Sequence, residues 1–461
     1  MPKSLKRIAL IVSIGTFSSK IGGLVRQLVI AGAFGVGSTY EAYNYAYIIP
    51  GFFLILLGGI NGPFHNGVVT VLSNKGEKER QYLLSGVNTL IGSFLLLITI
   101  LLIFFADPII YLLGPGLPLG IHDNAVLQLK IMAPIAFLSG LIGLGFGSLN
   151  TKNEFLLPSL SPLVSSLIVI IFVGTFWLTK NSNTQSIEIA ITGGIVISLA
   201  TLIGALLQWL TQIPSLIKSR YSKLRLNWDW RDPGIKELIK IIAPATLSAG
   251  MLQINVFTDL VFASLLDTDF INSDEIQGVA SGLTYASFLI QAPLGIISSA
   301  LIIPLLPTLS KLSKANSKLE FSRRVEQGLV ISIASMTVLG GIFIAIGGPI
   351  VELVYQRGSF QSEATKLVSG LLVAYGIGMP FYLARDFLVR VFYSLGDGAT
   401  PFKISILGIL MNILFDWILT GNPGALEGNK IIDLGPHGLV VATVLVNLVT
   451  CIFLVLNLKN K

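Results

Sequence analysis

The stretch that decides the fold is Ser19-Lys20-Ile21-Gly22-Gly23-Leu24-Val25-Arg26-Gln27. It places two cations, two glycines and an amide inside an apolar segment running from about residue 8 to residue 34. A charged side chain at the middle of a membrane helix costs about 2.5–3.5 kcal/mol on insertion scales, so it faces a protein interior or a water-filled cavity. Lys20 and Arg26 therefore predict that the rest of the chain builds such a cavity. Six residues apart, they differ by about 120° around an ideal helix, and share a face only if Gly22-Gly23 bends it.

The whole chain agrees with a membrane setting. Of 461 residues, 53% are hydrophobic and 12% charged, against roughly 25% charged in globular domains. The mean hydropathy is +0.79. The apolar runs are too long and unbroken for an outer-membrane barrel. Twelve helices are predicted, near 8–35, 42–72, 82–105, 124–149, 155–178, 187–212, 237–266, 278–308, 324–355, 362–393, 402–420 and 437–458. The basic start (Lys3, Lys6, Arg7) lacks a small-residue cleavage pattern and reads as a retained first helix. One cysteine, Cys451, excludes an internal disulfide.

Charge alternates between connections. Lys75, Lys78 and Arg80, Lys152, Lys218 to Arg231, and Lys311 to Arg324 mark one side; Asp107, Asp123, Asp267, Asp269 and Glu427 mark the other. Basic loops stay in the cytoplasm, so the net +7 charge is topology rather than nucleic-acid binding. Both termini are cytoplasmic, as an even helix count requires.

The halves echo each other. Asp107-Pro108 resembles Gly348-Pro349 at an offset of 241, while Pro134/Pro380 and Ser148-Leu149/Ser394-Leu395 repeat at 246. The expected architecture is an all-α polytopic membrane protein: two six-helix lobes related by a pseudo-two-fold repeat, in a V-shaped transporter with a central cavity. Residues 1–212 form the N-terminal lobe (helices 1–6), 213–236 a cytoplasmic amphipathic linker, and 237–461 the C-terminal lobe (helices 7–12). Parallel repeats of this kind place substrate at their interface.

Several polar residues are candidates for that site. Lys20, Arg26, Gln27, Asn44, Asn61, His65 and Asn66 would line a wall for an anionic substrate, arginine matching phosphate with its planar fork. In the second half, Asn255/Asp259 and Asn412/Asp416 are each four apart and so share a helix face. Two carboxylates with amide oxygens suit a hard cation, Na+ or a proton, with Na+ at Asp259, Asn412 and Asp416 and Thr443 adding a hydroxyl. Arg385-Asp386 and Arg390 read as a local salt-bridge network. No phosphate loop, Gly-x-Ser-x-Gly elbow or His-Glu-x-x-His helix is present, so no enzyme is expected.

Four stretches carry a family resemblance: Lys20-Ile-Gly-Gly-Leu-Val-Arg26 continuing to Phe34-Gly35-Val-Gly37, Glu41 and Ala42-Tyr-Asn-Tyr-Ala-Tyr-Ile-Ile-Pro50; Ser148-Leu-Asn150 with Phe155, Pro158 and Pro162; Tyr355-Gln-Arg357-Gly-Ser-Phe360; and Arg390-Val-Phe-Tyr-Ser-Leu-Gly-Asp-Gly-Ala-Thr-Pro401. In this order they resemble the MurJ/MviN family of lipid II flippases, within the multidrug/oligosaccharidyl-lipid/polysaccharide exporter superfamily. The resemblance implies movement of an undecaprenyl-diphosphate-linked peptidoglycan precursor from the cytoplasmic to the outer leaflet of the bacterial plasma (inner) membrane. The implied partners are lipid II, membrane lipids and the cell-wall synthesis machinery, with no nucleic acid and no cofactor beyond a coupling Na+ or proton. The chain departs from the pattern: Lys20 stands where relatives carry arginine, Gln27 where they carry aspartate, Leu54-Ile55 replace a paired arginine, and Ser287-Phe288 replace an Asp-Arg. Relatives have fourteen helices against twelve here. Other readings are export of a different lipid-linked oligosaccharide or drug, and a non-transporting envelope scaffold.

Overall fold

A computed structural model describes the chain except residues 1–4, 60–62, 74, 153, 181–185, 219–226, 230, 270–277, 315–316, 424–431 and 460–461. Sixteen helices make up the described residues, and one isolated bridge, Thr420 to Asp433, is the sole β pairing among them. Each of the twelve apolar stretches coincides with a helix or a broken pair of helices. The protein is an all-α, multi-pass membrane protein. Nine of its described helical stretches are long and apolar enough to cross a bilayer by themselves. Large apolar side chains lie exposed along them, Leu178 and Leu353 at 85% and 80%, which a water-soluble surface rarely tolerates in quantity.

Two compact units divide the chain: Met1–Leu113 with Pro118–Gln253, and Gly114–Leu117 with Ile254–Lys461. The division falls inside α11 (Pro233–Asp269). In the first unit α1 (Leu5–Phe34) packs on α8 (Leu156–Thr179), and α8 on α9 (Ser186–Leu210). The stretch of α6 (Leu119–Met132) and α7 (Pro134–Asn150) runs through the middle, touching α2 (Ser38–Leu56), α3 (Pro63–Ser73), α4 (Glu77–Phe104) and α9. Pro134 has no N–H to donate, so the helical ladder breaks at Ala133. In the second unit α14 (Ser362–Ser394) is central, packed by α12 (Val279–Lys314), α13 (Lys318–Tyr355) and α16 (Pro436–Lys459), while α15 (Ala399–Leu419) lies on α16.

The two central stretches occupy corresponding places in the repeat. They are also the most buried spans: 61% of the apolar window in α6–α7 and 56% in α14, against 22–50% elsewhere.

Local sequence explains the main joints. Gly396 has φ +78°, and the Asp397 N–H donates to the Phe392 carbonyl, closing a left-handed cap that ends α14. The Asp397 carboxylate then accepts from the Thr400 amide at 3.0 Å and from its hydroxyl at 2.7 Å, starting α15. The most specific family motif is therefore a helix-to-helix corner. Asp232 caps α11 in the same manner, accepting from the Gly234 and Ile235 amides at 2.8 and 3.1 Å, with Pro233 at the first helical position. The approach to α11 is held against α4: the Asn227 amide donates to Thr89 Oγ1 (3.0 Å), and the Tyr82 hydroxyl to Asp229 (2.9 Å). The rest of the expected linker lies largely outside the described residues.

α13 kinks at Ile346 (φ −130°, ψ 21°), three residues before Pro349, whose ring clashes with the preceding turn. It reaches α14 through Gly340 and Gly376. A Cβ on Gly340 would strike the Gly376 carbonyl oxygen, so glycine sets the closeness of this pair.

Candidate functional site

In the first unit, α1 runs as one helix through Gly22-Gly23, so no bend brings Lys20 and Arg26 to one face. Gly22 instead admits the Leu163 side chain of α8, while Gly23 faces open space. The Ser19 hydroxyl donates to the Ser159 carbonyl at 2.7 Å, fastening α1 to α8. Lys20 is exposed and Arg26 half-buried.

Arg26 has a distinctive setting. Its Nε is buried and makes no hydrogen bond among the described residues. Its charge acts on three phenols of α2, Tyr40, Tyr43 and Tyr47. These rings stack as a ladder, Tyr40 on Tyr43 at 5.7 Å and Tyr43 on Tyr47 at 5.3 Å. The spacing of three and four residues puts them on one face. Buried Gln27 donates through Nε2 to the Tyr40 hydroxyl at 2.8 Å, and Tyr43 bonds Thr201 at 3.1 Å. The stacked rings and the Gln27 bond fix the face of α2 that lies in the field of Arg26. Tyr43 and Tyr47 stand in the Ala42-Tyr-Asn-Tyr-Ala-Tyr47 stretch and Tyr40 two residues before it, and their spacing was the signal for them.

The other polar candidates of this unit make bonds of their own. Asn44 donates to the Tyr40 carbonyl of its own helix at 2.8 Å. His65 is buried and bonded through Nε2 to the Asn150 amide at 2.7 Å, joining α3 to the end of α7. Asn61 lies outside the described residues, and so does the Asn66 side chain.

In the second unit the sequence pairs come together. Asn412 Nδ2 donates to Asp416 Oδ2 at 2.6 Å, to Asp259 Oδ1 at 3.0 Å and, weakly, to Thr258 Oγ1 at 3.3 Å. One amide of α15 thus bridges two carboxylates, one on its own helix and one on α11. Asn412 and Asp416 are fully buried. Three buried acceptor oxygens remain without a donor among the described residues: Asn412 Oδ1, Asp416 Oδ1 and, one turn before Asp259, Asn255 Oδ1. A cluster rich in oxygen acceptors and short of donors fits a hard cation or a proton. Thr258 was missed in the sequence, although it lies three residues after Asn255. The Thr443 hydroxyl donates to the Leu439 carbonyl of its own helix at 3.1 Å.

Clefts of about 310 Å³, beside Trp209 and Leu216, and about 430 Å³, beside Phe321 and Leu458, open elsewhere, and no candidate residue lines either.

Comparison with known proteins now identifies the family. The profile described as "Lipid II flippase MurJ" matches residues 30–461. A relative from Synechocystis sp., named "Probable lipid II flippase MurJ", is 45% identical over 448 residues, covering 97% of this chain and 80% of the relative. The solved structure "Lipid II flippase MurJ, inward closed conformation" aligns with a TM-score of 0.78 at 28% identity, over 98% of this chain and 87% of that one. An inward-facing multidrug resistance MATE transporter of the MOP superfamily aligns at 0.68 with 14% identity, over 96% and 94%, which shows a shared fold. With the family profile matched over nearly the whole chain, this protein belongs to the MurJ lipid II flippase family.

Proposed function

We propose that this chain moves lipid II, the undecaprenyl-diphosphate-linked peptidoglycan precursor, from the cytoplasmic to the outer leaflet of the bacterial plasma membrane by alternating access. Its basic loops and both termini face the cytoplasm. The observation that carries the site is Arg26: a guanidinium within a membrane helix, with three tyrosines of α2 in its field and a buried N–H that has no acceptor among the described residues. An incoming diphosphate provides that acceptor, in the geometry for which arginine is suited. Outward movement of an anionic headgroup is favoured by an inside-negative potential, by about 2.3 kcal/mol per charge per 100 mV. The polyprenyl tail stays in lipid.

Asp259, Asn412 and Asp416, with Thr258 and Asn255 beside them, would hold the coupling cation. Bound Na+ or a proton supplies the positive charge that two carboxylates sharing one amide lack. The shared Asn412 amide ties α11 to α15, so cation binding and the relative position of these helices are linked. Such a ligand shifts a conformational equilibrium only by binding one state more tightly than the other.

Growth of a flippase-depleted bacterial strain tests the reading. The wild-type chain restores growth, and Arg26→Ala, expressed and inserted at the same level, does not. Full growth with Arg26→Ala would remove Arg26 from the site.

A further inference from the structure

The second unit holds another cation that the function above does not use. Arg385 lies on α14, nine residues, about 14 Å, before the end of the helix at Ser394. Its Nε is buried and has no hydrogen-bond partner among the described residues. Its Nη2 reaches the Ser405 hydroxyl of α15 only at 3.5 Å, the outer limit of a bond. The neighbouring Asp386 carboxylate lies in its field but is shared with a second guanidinium, being engaged by Arg390 Nε at 3.2 Å to both oxygens and by the Ser298 hydroxyl at 3.3 Å.

One turn earlier on the same face stands Tyr382, whose hydroxyl is also buried without a partner, and whose phenol lies within the field of Arg385. Asp386, Cys451 and Tyr393 are the other titratable side chains in that field, and Tyr382 also lies in the field of Asp259 and Tyr375. Three donors lie on α14 and the facing part of α15: a guanidinium N–H, a phenolic O–H one turn before it, and the serine O–H beside the guanidinium. No acceptor among the described residues is spent on the first two. Buried donors are paired in stable proteins, and a set made of donors around a fixed positive charge selects an oxyanion. This is the converse of the acceptor-rich Asp259/Asn412/Asp416 cluster in the same unit.

We propose that Tyr382, Arg385 and Ser405 form an oxyanion-binding pocket in the second unit, which takes a phosphate group either of a lipid-linked headgroup or free in solution. The headgroup form rests on the flippase reading; the binding of free phosphate does not.

The full-length protein, purified in detergent, is titrated with inorganic phosphate and pyrophosphate, and in nanodiscs with lipid II, with thermal stabilisation as the readout. Arg385→Gln, Arg385→Lys and Tyr382→Phe are compared with wild type, and Arg26→Ala marks binding at the other site. The expected result is saturable stabilisation of the wild type, weakened at least tenfold by Arg385→Gln and severalfold by Tyr382→Phe, partly restored by Arg385→Lys, and retained for free phosphate in Arg26→Ala. If lipid II responds to these changes while free phosphate does not bind, the pocket is a headgroup subsite. If free phosphate binds through Arg385 in a protein that moves no lipid II, the pocket stands and the flippase reading falls. Equal binding of both probes by wild type, Arg385→Gln and Tyr382→Phe overturns the proposal, and so does a wild type that binds neither. Tyr382→Phe keeps the ring, so the test survives if Arg385→Gln fails to fold.

Discussion

Replacing Asp416 by Asn probes the charge balance of the acidic cluster. Asp416 Oδ2 and Asp259 Oδ1 accept from the same nitrogen at 2.6 and 3.0 Å, so these oxygens are at most ~5.6 Å apart. Two ionised carboxylates at that separation repel by about 3 kcal/mol at an effective dielectric of 20. Asparagine removes the repulsion and costs one charge-assisted hydrogen bond, so the cation-free variant should melt higher than the cation-free wild type. The cation pays for the loss of one full negative charge: at 4 Å and the same dielectric this is about 4 kcal/mol, or roughly a thousandfold in affinity. The assay is melting of purified protein in NaCl against N-methylglucamine chloride, and at pH 8 against pH 6. Wild type should be stabilised by Na+ or by acid, and Asp416→Asn by neither. An Asp416→Asn protein that keeps the wild-type response to both would refute the assignment of the cation to this pair.

Three further outcomes follow from the packing. Gly340→Ala places a Cβ against the Gly376 carbonyl and should destabilise by about 1–3 kcal/mol, seen as a lower unfolding midpoint; an unchanged midpoint would mean that α13 and α14 are not in this contact. Tyr40→Phe strips the acceptor from buried Gln27 and should cost about 1–3 kcal/mol, while Gln27→Leu with Tyr40→Phe together should recover part of it, as a double-mutant cycle in chemical denaturation would record. Arg26→Lys keeps the charge without the fork and should support growth between those of wild type and Arg26→Ala; growth equal to wild type would reduce Arg26 to a point charge.

Apolar run length revealed the helices well, because a bilayer demands about 20 apolar residues regardless of partner. It did not reveal their interruptions. The run from 42 to 72 is two helices, α2 ending at Leu56 and α3 starting at Pro63, and 124–149 breaks at Ala133 before Pro134. A hydropathy window cannot distinguish a broken helix from a continuous one of the same composition. The cation cluster was legible because Asn and Asp recur at four residues on two helices, and a polar pair on one face of a membrane helix needs a partner. Thr258 was hidden because threonine often bonds its own helix, as Thr443 does. Lys20 and Arg26 looked equivalent in sequence, yet α1 leaves Lys20 exposed and half-buries Arg26, a difference fixed by packing on α8. Arg385 and Asp386 are neighbours in sequence, but adjacent helix positions do not face each other. Asp386 therefore pairs with Arg390, one turn on, and Arg385 Nε has no hydrogen-bond partner among the described residues.

The most direct measurement is translocation of fluorescent lipid II by the purified protein in sealed vesicles of bacterial lipid, with inside-negative potential and a quencher reporting the outer leaflet. The wild-type protein is expected to move lipid II at a rate above protein-free vesicles, and Arg26→Ala to fall to the protein-free rate. Wild-type vesicles no faster than empty ones under either a Na+ or a proton gradient would contradict the account.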